Sequence, residues 1–210
     1  LFSRRGPVDD GAYAADGHIW LSGPNGQRAL CPLSAIRLRG GHNVLNVLAA
    51  AALAEVVGVP DEAIVEGIRT FAGVPHRLET VRELDGVKYI NDSIATAPER
   101  ALAALAAYDE PIILLAGGRD KDMVWDEWAR QVAQRVKRVI LFGELAAPLA
   151  ARLSDAPVSI VDTLAEAVYL AQSEATAGDI VLLSPGGTSF DSYADFAERG
   201  EHFRLLVGDL

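Results

Sequence analysis

Cysteine is almost absent: Cys31 is the only one in 210 residues. No intrachain disulfide can form, and a cysteine zinc cluster is excluded. This suits a reducing, cytoplasmic setting. Positive charge is also scarce, with 19 Lys and Arg against 29 Asp and Glu and a formal net charge of −10. A nucleic-acid partner, which needs a basic stripe, is therefore not expected. A few local cations still suffice for an anionic nucleotide. Apolar runs are short and interrupted by Gly, Pro or charge, so no membrane insertion is expected. No basic region followed by an apolar run marks a signal peptide. The chain lacks Gly-Lys-Thr and Gly-Lys-Ser, hence a P-loop, and it lacks the Gly-x-Gly-x-x-Gly fingerprint of an NAD-binding domain. Internal repeats are missing too.

What is present is a chain that is 50% hydrophobic, enough for a globular core. Its length fits one large domain or one and a half ordinary ones. It starts at Leu1 inside a strand-like stretch, so a fragment or processed piece is expected. Residues 1–40 read as β-rich. A hairpin is expected between 12–15 and 18–21 across Asp16-Gly17, a turn at Gly23-Pro24-Asn25-Gly26, and a short strand at 36–39. Helices follow at 43–57, closed by Gly58 and Pro60, and at 61–71. Ala72-Gly73-Val74-Pro75 reads as a domain boundary, giving domains 1–74 and 75–210. Beyond it strands are expected at 78–84, 87–90, 111–116, 138–142, 158–161 and 180–184. Helices are expected at 97–107, 124–136, 145–153 and 164–177, then a last one near the end. Near-continuous apolar strands such as Ile112-Ile113-Leu114-Leu115 suit a parallel sheet covered on both faces, a doubly wound α/β domain.

The stretch that organises this second domain is 88–100. A short strand runs into Asn91-Asp92-Ser93 and then a helix, for which Thr96 and Glu99 have capping-box spacing and Pro98 suits the first turn. Open α/β sheets bind ligands outside the carboxyl ends of their strands. The same residues also read as ordinary turn formers. Asn43 and Asn46 share a helix face and can offer amide groups to a flat polar ring such as a purine, or can simply cap and solvate the helix. Arg77 can fork onto phosphate oxygens, or His76 and Arg77 are a solvated pair at a linker. Gly117-Gly118-Arg119-Asp120-Lys121-Asp122 lets backbone approach a ligand and supplies a point charge. Ser184-Pro185-Gly186-Gly187-Thr188-Ser189-Phe190-Asp191 can hold a carboxylate before a helix, or is a tight turn with Ser189 or Asp191 as cap.

Together these stretches resemble the Mur ligase family of ATP-dependent peptide-bond-forming enzymes. The motifs that carry the resemblance are Gly41-His42-Asn43-Val44-Leu45-Asn46, Gly73-Val74-Pro75-His76-Arg77-Leu78-Glu79, Tyr89-Ile90-Asn91-Asp92-Ser93, Gly117-Gly118-Arg119-Asp120-Lys121, and Leu183-Ser184-Pro185 with Ser189-Phe190-Asp191 and Phe196-Ala197-Glu198-Arg199-Gly200. The resemblance implies a Rossmann-like C-terminal domain at 75–210. Before it, residues 1–74 would be the C-terminal part of a P-loop-type central ATPase domain. The implied activity is addition of D-glutamate to UDP-N-acetylmuramoyl-L-alanine by a cytoplasmic monomer, through an acyl phosphate, with ATP and Mg2+. The magnesium ligands and P-loop are expected upstream, and this chain alone is expected to be inactive. The resemblance further implies that Asn43 and Asn46 contact adenine, that Arg77 reaches the phosphates, and that Asp92 binds the nucleotide. Thr96, Lys121, Ser189, Phe190 and Phe196 would surround the incoming glutamate, and Lys121, Arg77 and Asp92 would carry the catalytic role. Ile94 stands where the D-glutamate-adding members carry lysine, which removes a charge and leaves D- and L-glutamate, or another amino acid, open. A noncatalytic module that binds a nucleotide or a partner is the other reading the residues allow.

Overall fold

The computed structural model describes residues 1–24, 26–153 and 156–210. They form two units, Leu1–Gly73 and Val74–Leu210.

In the first unit four strands lie in the order β1-β2-β3-β4: β1 Phe2–Ser3, β2 Gly11–Ala15, β3 His18–Gly23 and β4 Gly26–Pro32. Ala15 pairs with His18 across Asp16 and Gly17, which have φ of 50° and 73°. Two positive φ values make this the two-residue hairpin turn whose twist matches the strands. The expected turn after Gly23 includes Asn25, which lies outside the described residues. Alternate residues Ala12, Ala14, Ile19 and Leu21 face a core closed by Leu48 and Ala51 of α1 (Gly41–Val56) and Ile64 of α2 (Asp61–Thr70). Arg28 ties both helices to β4, reaching Asp61 at 2.8 and 2.9 Å and Glu55 at 2.6 Å. The strand expected at 36–39 does not form. β4, which pattern reading passed over, takes the edge beside β3, while Leu33–Ala35 make a 3-10 turn and Ile36 packs into the helix-covered core. An extended segment without a ladder partner is not a strand.

The second unit is a six-stranded sheet in the order β5-β6-β10-β7-β8-β9. The strands are β5 Glu79–Leu84, β6 Val87–Asn91, β7 Ile112–Gly117, β8 Val136–Phe142, β9 Val158–Ile160 and β10 Ile180–Gly186. β5 is antiparallel to β6, and every other pairing is parallel. The strand period of two divides β7 between two cores. Ile112, Leu114 and Ala116 pack with α3 (Pro98–Leu105), α4 (Asp126–Arg135) and α5 (Ala146–Ala150); Ile113 and Leu115 pack with α6 (Leu164–Glu174) and α7 (Phe196–Gly208). Thr163 and Glu166 complete a capping box that starts α6. The box expected from Thr96 and Glu99 is not made. Ala97 caps α3 with no side-chain bond, because the helix starts at Pro98, one residue later than the spacing implies, and alanine carries no acceptor. The last helix is capped by Asp195, not Ser189 or Asp191; its carboxylate accepts from the Glu198 N–H at 2.8 Å. The helix expected at 145–153 is one and a half turns long.

This topology fixes where chemistry can sit. After β6 the chain crosses by α3 on one face, while after β10 it leaves by α7 on the other. β10 lies between β6 and β7, so the carboxyl ends of all three are adjacent where the winding reverses. Helices diverging from neighbouring strands leave a crevice there.

Candidate active site

Three loops meet at that crevice. The β6 end carries Asn91, Asp92 and Ser93, none more than 4% exposed, so these are not solvated turn residues. Asn91 donates to the Gly200 carbonyl at 3.1 Å, lies 3.1 Å from Nδ1 of His76, and accepts from the Ser93 N–H at 3.1 Å. Asp92 accepts from the Leu78 N–H at 3.2 Å and from the Ser184 hydroxyl at 2.9 Å. Burial pushes its carboxyl up to about 7, against the opposing pull of those bonds and of the Arg77 and Arg100 charges. A carboxylate poised near neutrality beside a crevice is a signature of a working site.

Asp92 also shapes the backbone that presents Arg77. His76 and Leu78, on either side, have φ of 63° and 47°, a region L residues rarely adopt. The turn is held by Leu78 N–H to Asp92, His76 N–H to Glu79 at 2.9 Å, and Ile94 N–H to the His76 carbonyl at 3.2 Å. Glu79 is held in turn by the Arg204 fork at 3.0 and 2.6 Å. His76 is buried, and a Cβ on Gly200 would stand 2.2 Å from its ring, so it packs against α7 rather than forming a solvated pair with Arg77. Arg77 itself is exposed.

The β7 and β10 loops are stitched to one another. Arg119 and Thr188 exchange both backbone hydrogen bonds at 2.9 Å, and the Thr188 hydroxyl donates to the Arg119 carbonyl at 3.0 Å. The expectation that Gly117-Gly118 makes room for a ligand is corrected: the room is taken by the protein. A Cβ on Gly117 would stand 1.9 Å from the Phe142 carbonyl oxygen, and one on Gly118 would stand 2.1 Å from that of Thr188. The φ of +98° at Gly118 is a second reason for glycine. Asp120 organises the next turn by accepting from the N–H groups of Lys121 and Met123 and from Trp125 Nε1 at 2.8, 3.2 and 3.3 Å. That turn holds Lys121 exposed beside the loops.

The expected residues of the second unit differ in burial. Ser189 is 2% exposed, Thr96 and Phe196 are half-buried, and Phe190 is 60% exposed. Phe196 meets the His76 ring edge-on at 6.2 Å, and its carbonyl accepts from the Ser93 hydroxyl at 2.7 Å. Asn43 and Asn46 belong to the first unit. Asn43 is buried, donates to the Arg39 carbonyl at 2.7 Å and accepts from Asn46 at 3.2 Å; Asn46 is exposed.

Four residues that join the loops have no individual role among the expectations: His76, Asn91, Ser184 and Arg199. Arg199 is fully buried, and burial lowers its guanidinium to about 10, so it stays charged at neutral pH. The signal in the chain was an arginine followed by glycine inside an otherwise apolar helix face, which shows its use only once α7 is folded onto β6. Among the described residues no three His, Cys, Asp or Glu side chains gather as a metal-binding group, and no helix is long and apolar enough to cross a membrane.

Residues 76–187 match the family described as "Mur ligase, glutamate ligase domain". The chain is 45% identical over 201 residues to the UDP-N-acetylmuramoylalanine--D-glutamate ligase of Roseiflexus sp. (strain RS-1), covering 93% of this chain and 43% of that protein. It is 45% identical over 218 residues to the protein of the same name from Symbiobacterium thermophilum, covering 99% of this chain and 47% of that one. The chain therefore spans about half the length of these curated relatives. Among solved structures, E. coli FolC in complex with ADP superposes with a TM-score of 0.69 at 20% identity, over 95% of this chain and 47% of that one. A pseudomurein peptide ligase type C from Methanothermus fervidus gives 0.68 at 19% identity, over 98% of this chain and 42% of that one. At these identities the two structures speak for the fold.

Proposed function

The chain belongs to the Mur ligase family, and from that premise we propose that it is part of an ATP-dependent ligase that adds D-glutamate to UDP-N-acetylmuramoyl-L-alanine. Residues 1–74 would be the tail of the central ATPase domain, and residues 75–210 the domain that receives glutamate. The observation that carries the reading is the meeting of the Asp92, Lys121 and Ser189 loops at the carboxyl ends of three neighbouring strands. Two relatives at 45% identity that bear the D-glutamate ligase name support the substrate.

The chemistry asks for positioning and charge neutralisation more than for a protein nucleophile. ATP would transfer its γ-phosphoryl group to the carboxylate of UDP-N-acetylmuramoyl-L-alanine. The glutamate amine would then attack the acyl phosphate carbon and expel phosphate. Arg77, exposed on its constrained turn, is free to fork onto phosphate oxygens as the nucleotide is clamped. Asp92 would bind the nucleotide. In the first unit, Asn43 and Asn46 would contact adenine; Asn46 is the exposed one of the pair. Lys121 and the Ser189 hydroxyl would meet the glutamate carboxylates, with Thr96, Phe190 and Phe196 around the rest. Magnesium is a different matter. Among the described residues no three His, Cys, Asp or Glu side chains gather; its ligands would lie mostly upstream, and no step here runs through it.

The test is phosphate release by the intact ligase with ATP, UDP-N-acetylmuramoyl-L-alanine and either D- or L-glutamate. Release that depends on D-glutamate is expected, with none from the 210-residue chain alone. Release only with L-glutamate would move the specificity, as Ile94 allows. No release with either would overturn the reading in favour of a noncatalytic module.

A further inference from the structure

Arg199 has the most unusual environment in the molecule. It is 0% exposed, yet its hydrogen-bond partners are all neutral: the Ser93 hydroxyl at 3.0 Å, the Ser93 carbonyl at 2.9 Å, and the Gly187 carbonyl, reached by both terminal nitrogens at 3.3 Å. Five other arginines of this unit, namely Arg119, Arg130, Arg138, Arg152 and Arg204, sit against carboxylates, although all are at least partly exposed. A buried cation normally needs a paired anion. The acid that bears on Arg199, Asp191, acts from a distance, and its Oδ2 accepts from the Glu144 N–H at 3.4 Å.

The guanidinium also lies beneath all three loops of the crevice. It holds Ser93 after β6 and Gly187 after β10, and its Nη1 would stand 3.1 Å from a Cβ on Gly118 after β7. Two residues beyond Gly187 along the same loop, Ser189 is 2% exposed. A fixed positive charge beneath loops that carry a hydroxyl favours an anion there.

We infer that Arg199 is a positioning residue and the buried counter-charge of the acceptor pocket: it locks the Ser93 turn to the Gly187–Ser189 loop and selects an amino acid that carries a second carboxylate. The inference rests on the ligase reading of this site. An acceptor docked over Ser189 supplies an anion beyond the distant Asp191, and in low-dielectric surroundings that attraction is little screened. An uncharged amide in the same place leaves the cation with Asp191 alone.

The experiment compares glutamate with glutamine as acceptor in the intact ligase, for the wild type, Arg199→Gln and Arg199→Lys. In Arg199→Gln, kcat/KM for glutamate is expected to fall about 100-fold, mainly through KM, while KM for ATP moves less than about 2-fold. The glutamate-to-glutamine ratio should fall by about 10-fold or more, since the two acceptors differ in the charge that Arg199 reads. Arg199→Lys keeps the charge and loses the fork, so it should retain the ratio while its KM for glutamate rises about 10-fold. Equal losses for both acceptors in Arg199→Gln would reduce Arg199 to a structural part and overturn the inference. Should Arg199→Gln fail to fold, Arg199→Lys decides: retained selectivity with a raised KM upholds the inference, and a lost ratio or an unchanged KM overturns it. If the wild type ligates neither acceptor, the ligase reading fails separately. Hydrogen exchange on the 210-residue chain then decides the positioning role. Arg199→Lys should speed exchange at the amides of 93–96 and 188–189 but not in β8, and unchanged exchange at both loops overturns it.

Discussion

Replacing Asp92 by asparagine is expected to stabilise the protein above neutral pH, although Asp92 sits at the centre of the candidate site. In the folded chain the Asp92 carboxyl titrates at about 7, against an ordinary 3.8, because burial outweighs its hydrogen bonds to Ser184 and Leu78. Between those two values the folded state holds a proton that the unfolded state has released. Stability contributed by this group therefore falls as pH rises through the window, and the full penalty is present above about pH 7. Between pH 5 and pH 8 the change attributable to Asp92 is about 2–3 kcal/mol, from about 1.36 kcal/mol for each pH unit between 5 and the folded titration point. Asparagine keeps an acceptor for the Leu78 N–H, and its amide can donate to the Ser184 oxygen. The variant should thus match the wild type more closely at pH 5 and exceed it at pH 8. Urea unfolding at both pH values is the assay, followed by the emission of Trp125 and Trp128, which lie in the second unit, in a Trp20→Phe background that silences the first. The comparison is a difference between proteins at each pH, so it cancels carboxylates such as Asp179 and Glu144, whose affinity for protons is lowered and whose effect on stability runs the other way. A variant less stable than wild type by the same amount at both pH values would refute the argument. Asp92 would then be ionised in the fold without penalty. If the stabilisation appears and phosphate release is lost, Asp92 is a group kept for activity at the expense of stability.

Lys121→Ala should raise KM for glutamate and lower kcat in the intact ligase, with an unchanged melting temperature, because the side chain is exposed; unchanged kinetics would mean a merely solvated lysine. Gly118→Ala should destabilise the second unit by about 1–3 kcal/mol, from a positive φ and a Cβ 2.1 Å from the Thr188 carbonyl, read as a lowered urea midpoint; a wild-type midpoint would show that the two loops can part without penalty. Thr163→Ala removes one half of the α6 capping box and should lower stability by about 1 kcal/mol at any acceptor concentration, since α6 begins after β9, the edge strand, two strands beyond β7; a changed KM would place α6 in the site after all.

Much of the second unit was legible from local pattern. Continuous apolar runs such as 112–115 carry the strand signal because both faces of a parallel strand are buried, and the result is two cores of opposite parity along β7. Where local chemistry is complete within a few residues, as in the Asp16-Gly17 hairpin, it also read correctly. It failed where a partner from far along the chain decides. Residues 36–39 have the composition of a strand but no ladder to join, and the Thr96–Glu99 spacing fits a box that the start of α3 at Pro98, capped by Ala97, puts out of register. The order of strands, with β10 inserted between β6 and β7, brings Asp92 within hydrogen-bond reach of Ser184, 92 residues away, and Arg199 within reach of Ser93, 106 residues away. Composition and motif order by themselves determined that the chain carries a doubly wound α/β domain of this family and which loops hold its polar residues. Only the tertiary structure decided which of those residues are bare and which are spent. Burial raises the Asp92 carboxyl, long-range packing turns the paired glycines toward backbone instead of ligand, and the docking of α7 leaves Arg199 as a buried charge among neutral partners.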